Sequence, residues 1–231
     1  MFKKKTVLAI VIARGGSKGI KLKNLRKINN KTLIWHVGNI IKKIKYLDKA
    51  IISTDHYKIA KEAIKAGIEV PFSRPKKIAG DKISDVAVLR HALSKIEKID
   101  KKKYNIVLML QPTSPIRTIS QINNCLKILI ENNADSVWTV SKTDTKFHPD
   151  KQLLIKNKNL NFFSKKGDKI KARQELSETY YKNGVCYAIT RRCLLEKNSL
   201  RGDKCFPLII NEKTINIDTP EDLRLARSYF K

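Results

Sequence analysis

Cysteine and histidine are sparse, four of each in 231 residues, and Cys125, Cys186, Cys193 and Cys205 contain no Cys-x-x-Cys pair. That scarcity and spacing exclude a zinc framework and predict reduced thiols, most of them in the core. Long apolar runs are missing as well. None approaches the roughly 20 residues that a membrane helix needs. The start Met1-Phe2-Lys3-Lys4-Lys5 runs into a strand-like segment with no signal-peptide cleavage pattern, so a cytoplasmic protein without membrane association is expected. Acidic residues are few: 21 Asp plus Glu face 49 Lys plus Arg, a net charge of +28. Such a balance raises the question of nucleic acid. The lysines, however, are spread over nearly every polar stretch and no nucleic-acid module is recognisable, which argues against that partner. Lysine, isoleucine and asparagine share A/T-rich codons, so the excess reads either as a biased genome or as a charge that attracts anionic substrates or polymers. Internal repeats are absent, and so are low-complexity segments beyond the lysine richness.

Apolar residues are nonetheless plentiful, at 42% of the chain, and their grouping predicts one principal folded domain spanning 1–231. Val7 to Ala13 reads as a strand buried on both faces, followed by a basic, glycine-rich loop. Leu33, Ile34, Val37, Ile40, Ile41 and Ile44 repeat at helical spacing, and Ala50 to Thr54 reads as the next strand. A helix from Ile59 to Ala66, a short strand at Glu69 to Phe72, a helix from Ser84 to Ile96 and a strand from Ile106 to Leu110 follow. A helix near Ile119 to Ile130 and a strand at Ser136 to Val140 extend the series. This alternation predicts an α/β fold with a mostly parallel central sheet and flanking helices, whose ligands sit beyond the carboxyl ends of the strands. The lysine-rich stretch at about 143–181 breaks the pattern and is too long for an ordinary connection, so it reads as an inserted arm. Strands at Val185 to Ile189 and Thr214 to Ile217 follow. Thr219-Pro220-Glu221-Asp222 then supplies a cap, a first-turn proline and two carboxylates for a last helix.

Three groups of residues carry chemistry. Glycines 15, 16 and 19 let the backbone of the loop from Arg14 to Asn24 approach an anion, and Arg14, Lys18, Lys21 and Lys23 can neutralise it. The loop is neither a P-loop nor a Gly-x-Gly-x-x-Gly turn; by itself it reads either as a phosphate cradle or as a solvated basic turn. Asn216 and Asp218, two apart at the end of a predicted strand, face the same side and can offer oxygen ligands to magnesium, although Asp218 also suits a helix entry. Gln111 has a donor and an acceptor on a loop stiffened by Pro112 and Pro115, and a rigid turn is the simpler reading of that loop.

The segment Ala13-Arg14-Gly15-Gly16-Ser17-Lys18-Gly19 with Lys23-Asn24 resembles the signature of the CMP-sialic acid synthetases, the acylneuraminate cytidylyltransferases. Ser53-Thr54-Asp55, Val70-Pro71-Phe72 with Arg74-Pro75, His91-Ala92-Leu93, Leu110 to Arg117, Arg173 to Leu176, Tyr180 with Asn183-Gly184 and Tyr187, and Ile217 to Leu223 follow in family order. The resemblance covers most of the chain and implies a nucleotidyltransferase, Rossmann-like sheet with an inserted dimerisation arm. It implies transfer of CMP from CTP to an acidic nine-carbon sugar with release of pyrophosphate. Arg14 and Lys23 are then catalytic cations on the triphosphate, and Asp218 is the third catalytic residue. Ala13, Gly15, Gly16, Ser17, Asn24, Arg74 and Ser84 complete the CTP site. Gln111, Arg173, Asn183 and Tyr187 line the sugar pocket, with Arg173 supplied either by the same chain or by the second subunit of a homodimer. Asp218 and Asn216 hold Mg2+.

The sequence departs from the family at Ile12, Lys21 and Asn216, where Pro, Pro and Asp are usual, and at Ser177-Glu178, which replace Pro-Lys. The Asn216 change removes one negative charge from the metal position. The rivals are the same reaction on legionaminic acid, pseudaminic acid or Kdo, a nucleotide-binding protein without catalysis, and a nucleic-acid-binding α/β protein.

Overall fold

The computed structural model describes residues 1–230. Its strands are β1 (Val7–Ile12), β2 (Lys27–Ile28), β3 (Lys31–Thr32), β4 (Lys49–Ser53), β5 (Ile106–Met109), β6 (Ser136–Lys142), β7 (Leu153–Lys156), β8 (Asn159–Phe162), β9 (Tyr180–Thr190) and β10 (Cys205–Ile209). Its helices are α1 (Leu33–Lys42), α2 (Tyr57–Lys65), α3 (Asp85–Asp100), α4 (Ile119–Glu131), α5 (Arg191–Leu195) and α6 (Pro220–Tyr229). Six strands form one sheet in the order β10-β6-β9-β5-β1-β4. Neighbours pair in parallel except at β9, which is antiparallel to both β5 and β6, so five strands run one way and β9 alone is reversed.

The sheet separates two apolar layers by simple alternation along each strand. Val7, Ala9 and Val11 of β1 face the layer completed by Ile34 and Val37 of α1, Ile59 of α2 and Leu126 of α4. Leu8 and Ile10 face the layer of Leu89, Leu93 and Ile96 of α3 and Leu194 of α5. Ends of the helices are fixed by side chains. Thr32, Ser84, Thr118 and Thr219 each accept a backbone N–H at the start of α1, α3, α4 and α6, and Thr118 and Thr219 do so within reciprocal boxes with Gln121 and Asp222.

Several elements differ from the sequence reading. Glu69 to Phe72 makes one parallel bridge, Ile51 to Glu69, and no strand. Thr214 to Ile217 is not a strand either: Ile215 and Ile217 are buried with Ile20, Ile28, Leu33 and Leu223, while the Ile217 N–H donates to Thr113 O at 2.8 Å. The edge strand is instead Cys205–Ile209, which contains Pro207, and an edge is where a sheet tolerates proline. The strand foreseen at Val185 to Ile189 is longer and reversed, because β6 and β9 are antiparallel neighbours joined through residues 143–179. That joining stretch contains the two-stranded β7–β8 hairpin and several short 3-10 turns. All four cysteines are free; Cys125, Cys186 and Cys193 are buried and Cys205 is half-buried. No helix among the described residues is long and apolar enough to cross a membrane.

Candidate active site

A cleft of about 480 Å³ opens at the carboxyl ends of β1 and β5, lined by the glycine loop, the segment before α3, the loop after β5 and the stretch entering α6. Arg14, Ser17, Lys23, Asn24, Arg74, Gln111, Asn216 and Asp218 all line it. Residues far apart in sequence thus meet at one edge of the sheet.

The glycine loop turns because Gly15 donates its N–H to Asp55 Oδ1 at 2.9 Å, and a Cβ on Gly15 would strike the His56 ring. At Gly19 a Cβ would run into the backbone oxygen of Asp218, so the loop lies directly against the entry to α6. Asn24 is buried and donates to Arg14 O at 3.2 Å, tying the two ends of the loop together. Arg14 pairs with Asp81, which Lys18 also holds at 2.9 Å; these two cations keep the Asp81 carboxyl below its ordinary range, Lys18 contributing most. Lys23 meets Asp218 Oδ1 at 2.6 Å. Arg74 is buried, with Nε donating to Ser53 Oγ at 3.1 Å and Nη2 to Ser53 O, and burial pulls its pKa down. It presents a fixed cation at the end of β4.

Gln111 is set by a second layer of contacts. Arg117 is buried without a carboxylate partner: Nε donates to Ser114 O at 3.0 Å, and Nη2 donates to Ser114 O at 2.6 Å and to Gln111 O. Burial drags its pKa down to about 10. Ser114 Oγ donates to Asn183 O at 3.1 Å and to Asn216 Oδ1 at 3.4 Å, linking three segments under the cleft floor. Gly184 has φ +74°, and a Cβ there would collide with Ser114 Oγ and Gln111 Oε1. The pairing of β6 with β9 shifts register here, between Trp138 and Val140, so the bulge brings the Gly184 backbone up against Gln111.

The other foreseen site residues lie elsewhere. Ala13 is buried beneath the cleft, and Gly16 has open space beside it. Ser84 caps α3, accepting the Ala87 N–H. The Asn183 side chain is spent within the bulge, donating to Ser141 Oγ at 3.0 Å and accepting the Val185 N–H at 3.2 Å. Tyr187 packs edge-to-face on Trp138 at 5.7 Å, and burial pushes its hydroxyl up to about 12. Arg173 sits in an exposed turn of the inserted stretch, outside the cleft of its own chain. Gly80, Asp81 and Asp85 are cleft residues that the sequence reading did not single out for the site. Their signal was the run Gly80-Asp81 just ahead of a capped helix.

A model of the cytidylyltransferases matches residues 8–214. The chain belongs to this family. It is 29% identical to the post-translational flagellin modification protein B of Campylobacter coli, across 97% of this chain and 95% of that protein. It is 30% identical to the CMP-N,N'-diacetyllegionaminic acid synthase of Campylobacter jejuni, across 95% of this chain and 93% of that one. In fold it is similar to a CMP:2-keto-3-deoxy-manno-octonic acid synthetase solved with CTP, with a TM-score of 0.71 at 16% identity over 97% and 98% of the two chains. Within this cytidylyltransferase the basic loop, Arg74 and Gln111 share one cleft.

Proposed function

We propose that this cytidylyltransferase moves CMP from CTP onto an acidic nine-carbon sugar of the N-acylneuraminate type. The anomeric hydroxyl attacks the α-phosphorus, the bond to the β-phosphate oxygen breaks, and pyrophosphate leaves. The observation that carries this reading is the convergence of Arg14, Lys18, Lys23 and Arg74 on a single cleft that also holds Gln111. Cations fixed before the reaction stabilise charge as it develops on phosphoryl oxygens, and phosphoryl transfer asks little else of a protein. In the free protein Asp81 and Asp218 occupy Arg14 and Lys23. A triphosphate brings more negative charge than either carboxylate and takes their place. Gln111, with one acceptor and two donors, orients the sugar beside the α-phosphate.

Asp218 and Asn216 fit a magnesium ion that takes its remaining ligands from phosphate and water. Asp218 is 63% exposed at the cleft, whereas Asn216 turns its Nδ2 to Asp218 Oδ2 at 2.9 Å and its Oδ1 to Ser114, so its amide would have to turn over to offer an oxygen beside Asp218. When bound, such an ion withdraws charge from the phosphate oxygens. With Asn at 216 the protein contributes a single carboxylate to that position.

We also propose a homodimer built on the inserted stretch. Leu153, Ile155, Leu160 and Phe162, which the β7–β8 register puts on one face of the hairpin, are 50%, 77%, 68% and 42% exposed, an apolar patch that a second copy would cover. The same contact would carry Arg173 toward the partner's cleft. A second reading of the acceptor, N,N'-diacetyllegionaminic acid, draws on the 30% identity to the enzyme named for it.

Pyrophosphate release with CTP and magnesium, measured over N-acetylneuraminic, legionaminic and pseudaminic acids and Kdo, tests the reaction. No turnover with any of the four refutes it. Arg14→Ala and Asp218→Ala should each lose at least about tenfold in turnover, roughly 1.4 kcal/mol of transition-state stabilisation; wild-type rates in both would move the site elsewhere.

A further inference from the structure

Three carboxylates line the cleft: Asp81, Asp85 and Asp218. Asp81 lies against Arg14 and Lys18, and Asp218 against Lys23. Asp85 differs. It is half-buried, and its carboxylate makes no hydrogen bond or ion pair with any described residue; burial raises its pKa, against the pull of Lys182 and Arg74. It does not cap α3, because Ser84 is the cap. A partly desolvated carboxylate without a partner is unfavourable in the free protein, and it becomes favourable once a ligand donates to it.

Its neighbours say which part of a ligand that is. Lys182 and Tyr187 of β9 share its field, and so does Arg74 at the end of β4. In the sheet β9 lies two places from β1, whose loop carries the triphosphate cations. Asp85 therefore stands within reach of both Arg74 and β9, in the cleft that Gln111 also lines. A carboxylate there repels phosphate and repels the acceptor's own carboxylate. It accepts from O–H or N–H.

We propose that Asp85 is a specificity-determining residue that accepts a hydrogen bond from a hydroxyl or acylamino N–H of the acceptor sugar, on the side of the sugar remote from its carboxylate. This rests on the sugar-acceptor reaction proposed above. The role is recognition, and the reacting hydroxyl is not its partner.

Steady-state kinetics of the full chain, Asp85→Asn and Asp85→Ala, with the best sugar of the four-member panel and its monodeoxy and des-acylamino analogues, test the assignment. Both substitutions should lower kcat/KM for the sugar by about 10- to 100-fold, as expected for losing a hydrogen bond to a charged group. CTP affinity measured by calorimetry should stay at the wild-type value, which also reports that the variants fold. One analogue should cost the wild type a similar factor and cost Asp85→Ala nothing further. Unchanged sugar kinetics in both variants overturn the assignment. So does a loss of CTP affinity alone, which would set Asp85 against the base amino group, and so does an equal loss with every analogue. Wild-type turnover with indifferent variants sinks only the Asp85 assignment, whereas failure of the wild type with all four sugars sinks the reaction and the assignment together.

Discussion

Replacing Gly184 by alanine probes the floor of the cleft. At φ +74° an L-residue is strained, at about 1–2 kcal/mol. The added Cβ also meets Ser114 Oγ and Gln111 Oε1. Relieving that overlap adds about 1–3 kcal/mol, as overpacking does in well-filled sites. The sum, about 3 kcal/mol, corresponds to a fall in Tm on the order of 10 °C for a chain of this size. Because the Gln111 side chain is the softer of the two obstacles, much of the relief comes from its displacement. A shift of about 1 Å in a positioning group can lower turnover by roughly 100-fold. Gly184→Ala should therefore lose sugar kcat/KM by about 10- to 100-fold while calorimetric CTP affinity stays near the wild-type value. Removing the first obstacle with Ser114→Ala in the same chain should recover part of the loss, a non-additive result expected of residues in contact. A destabilised variant with wild-type sugar kinetics would refute the idea that Gly184 seats Gln111. Full stability in Gly184→Ala would refute the strain itself.

Two further substitutions test the framework around the site. Arg117→Met leaves the Ser114 and Gln111 carbonyls without their donors. It should destabilise the fold by about 2–3 kcal/mol in denaturant titrations, after allowing for the relief of a buried cation. Arg117→Lys should not restore stability, since one ammonium cannot span both carbonyls as the guanidinium fork does. Asp135 is the second. Burial alone would raise its carboxyl, yet Lys197 at 2.6 Å and the N–H groups of Lys204 and Asp203 hold it below its ordinary value. A depressed carboxyl stabilises the fold above its unfolded pKa of about 3.9, and that contribution vanishes as pH falls through the lower, folded value. Asp135→Asn should thus be less stable than the parent near neutrality, with the gap in Tm narrowing as pH falls below about 4; a gap independent of pH would contradict it.

The strands and helices that the sequence announced most clearly are those with unbroken apolar signals. Val7 to Ile12 and Ile106 to Met109 are buried on both faces, and the helical repeat from Leu33 matches a helix with Leu33, Ile34, Val37 and Ile41 inside. Edge and loop positions were harder. Pro207 disguised a strand that escapes the usual penalty only because it is outermost. Ile215 and Ile217 imitated a strand, although their apolar side chains fill a small cluster under α6. Among the site residues, basic side chains next to glycines stood out because their composition is unusual. Asp81 and Asp85 did not, since a carboxylate ahead of a helix is ordinary until the fold sets it opposite Arg14 or Lys182. Asn183 and Tyr187 were placed in the sugar pocket by the resemblance alone. Their surroundings occupy them, one in a bulge and one edge-to-face on Trp138.

The reversal of β9 reaches beyond sheet topology. Because β6 runs with the parallel strands and β9 against them, residues 143–179 leave and re-enter the sheet at the edge where the cleft opens. Whatever grips that excursion pulls on the first residues of β9, and only a few positions along the same strand lies the Gly184 bend beneath Gln111. The strand is a tether between the molecule's periphery and its reaction floor. Lengthening, shortening or clamping the excursion would leave the two apolar layers untouched and reach the cleft only through the start of β9, where the Gly184 backbone meets Gln111.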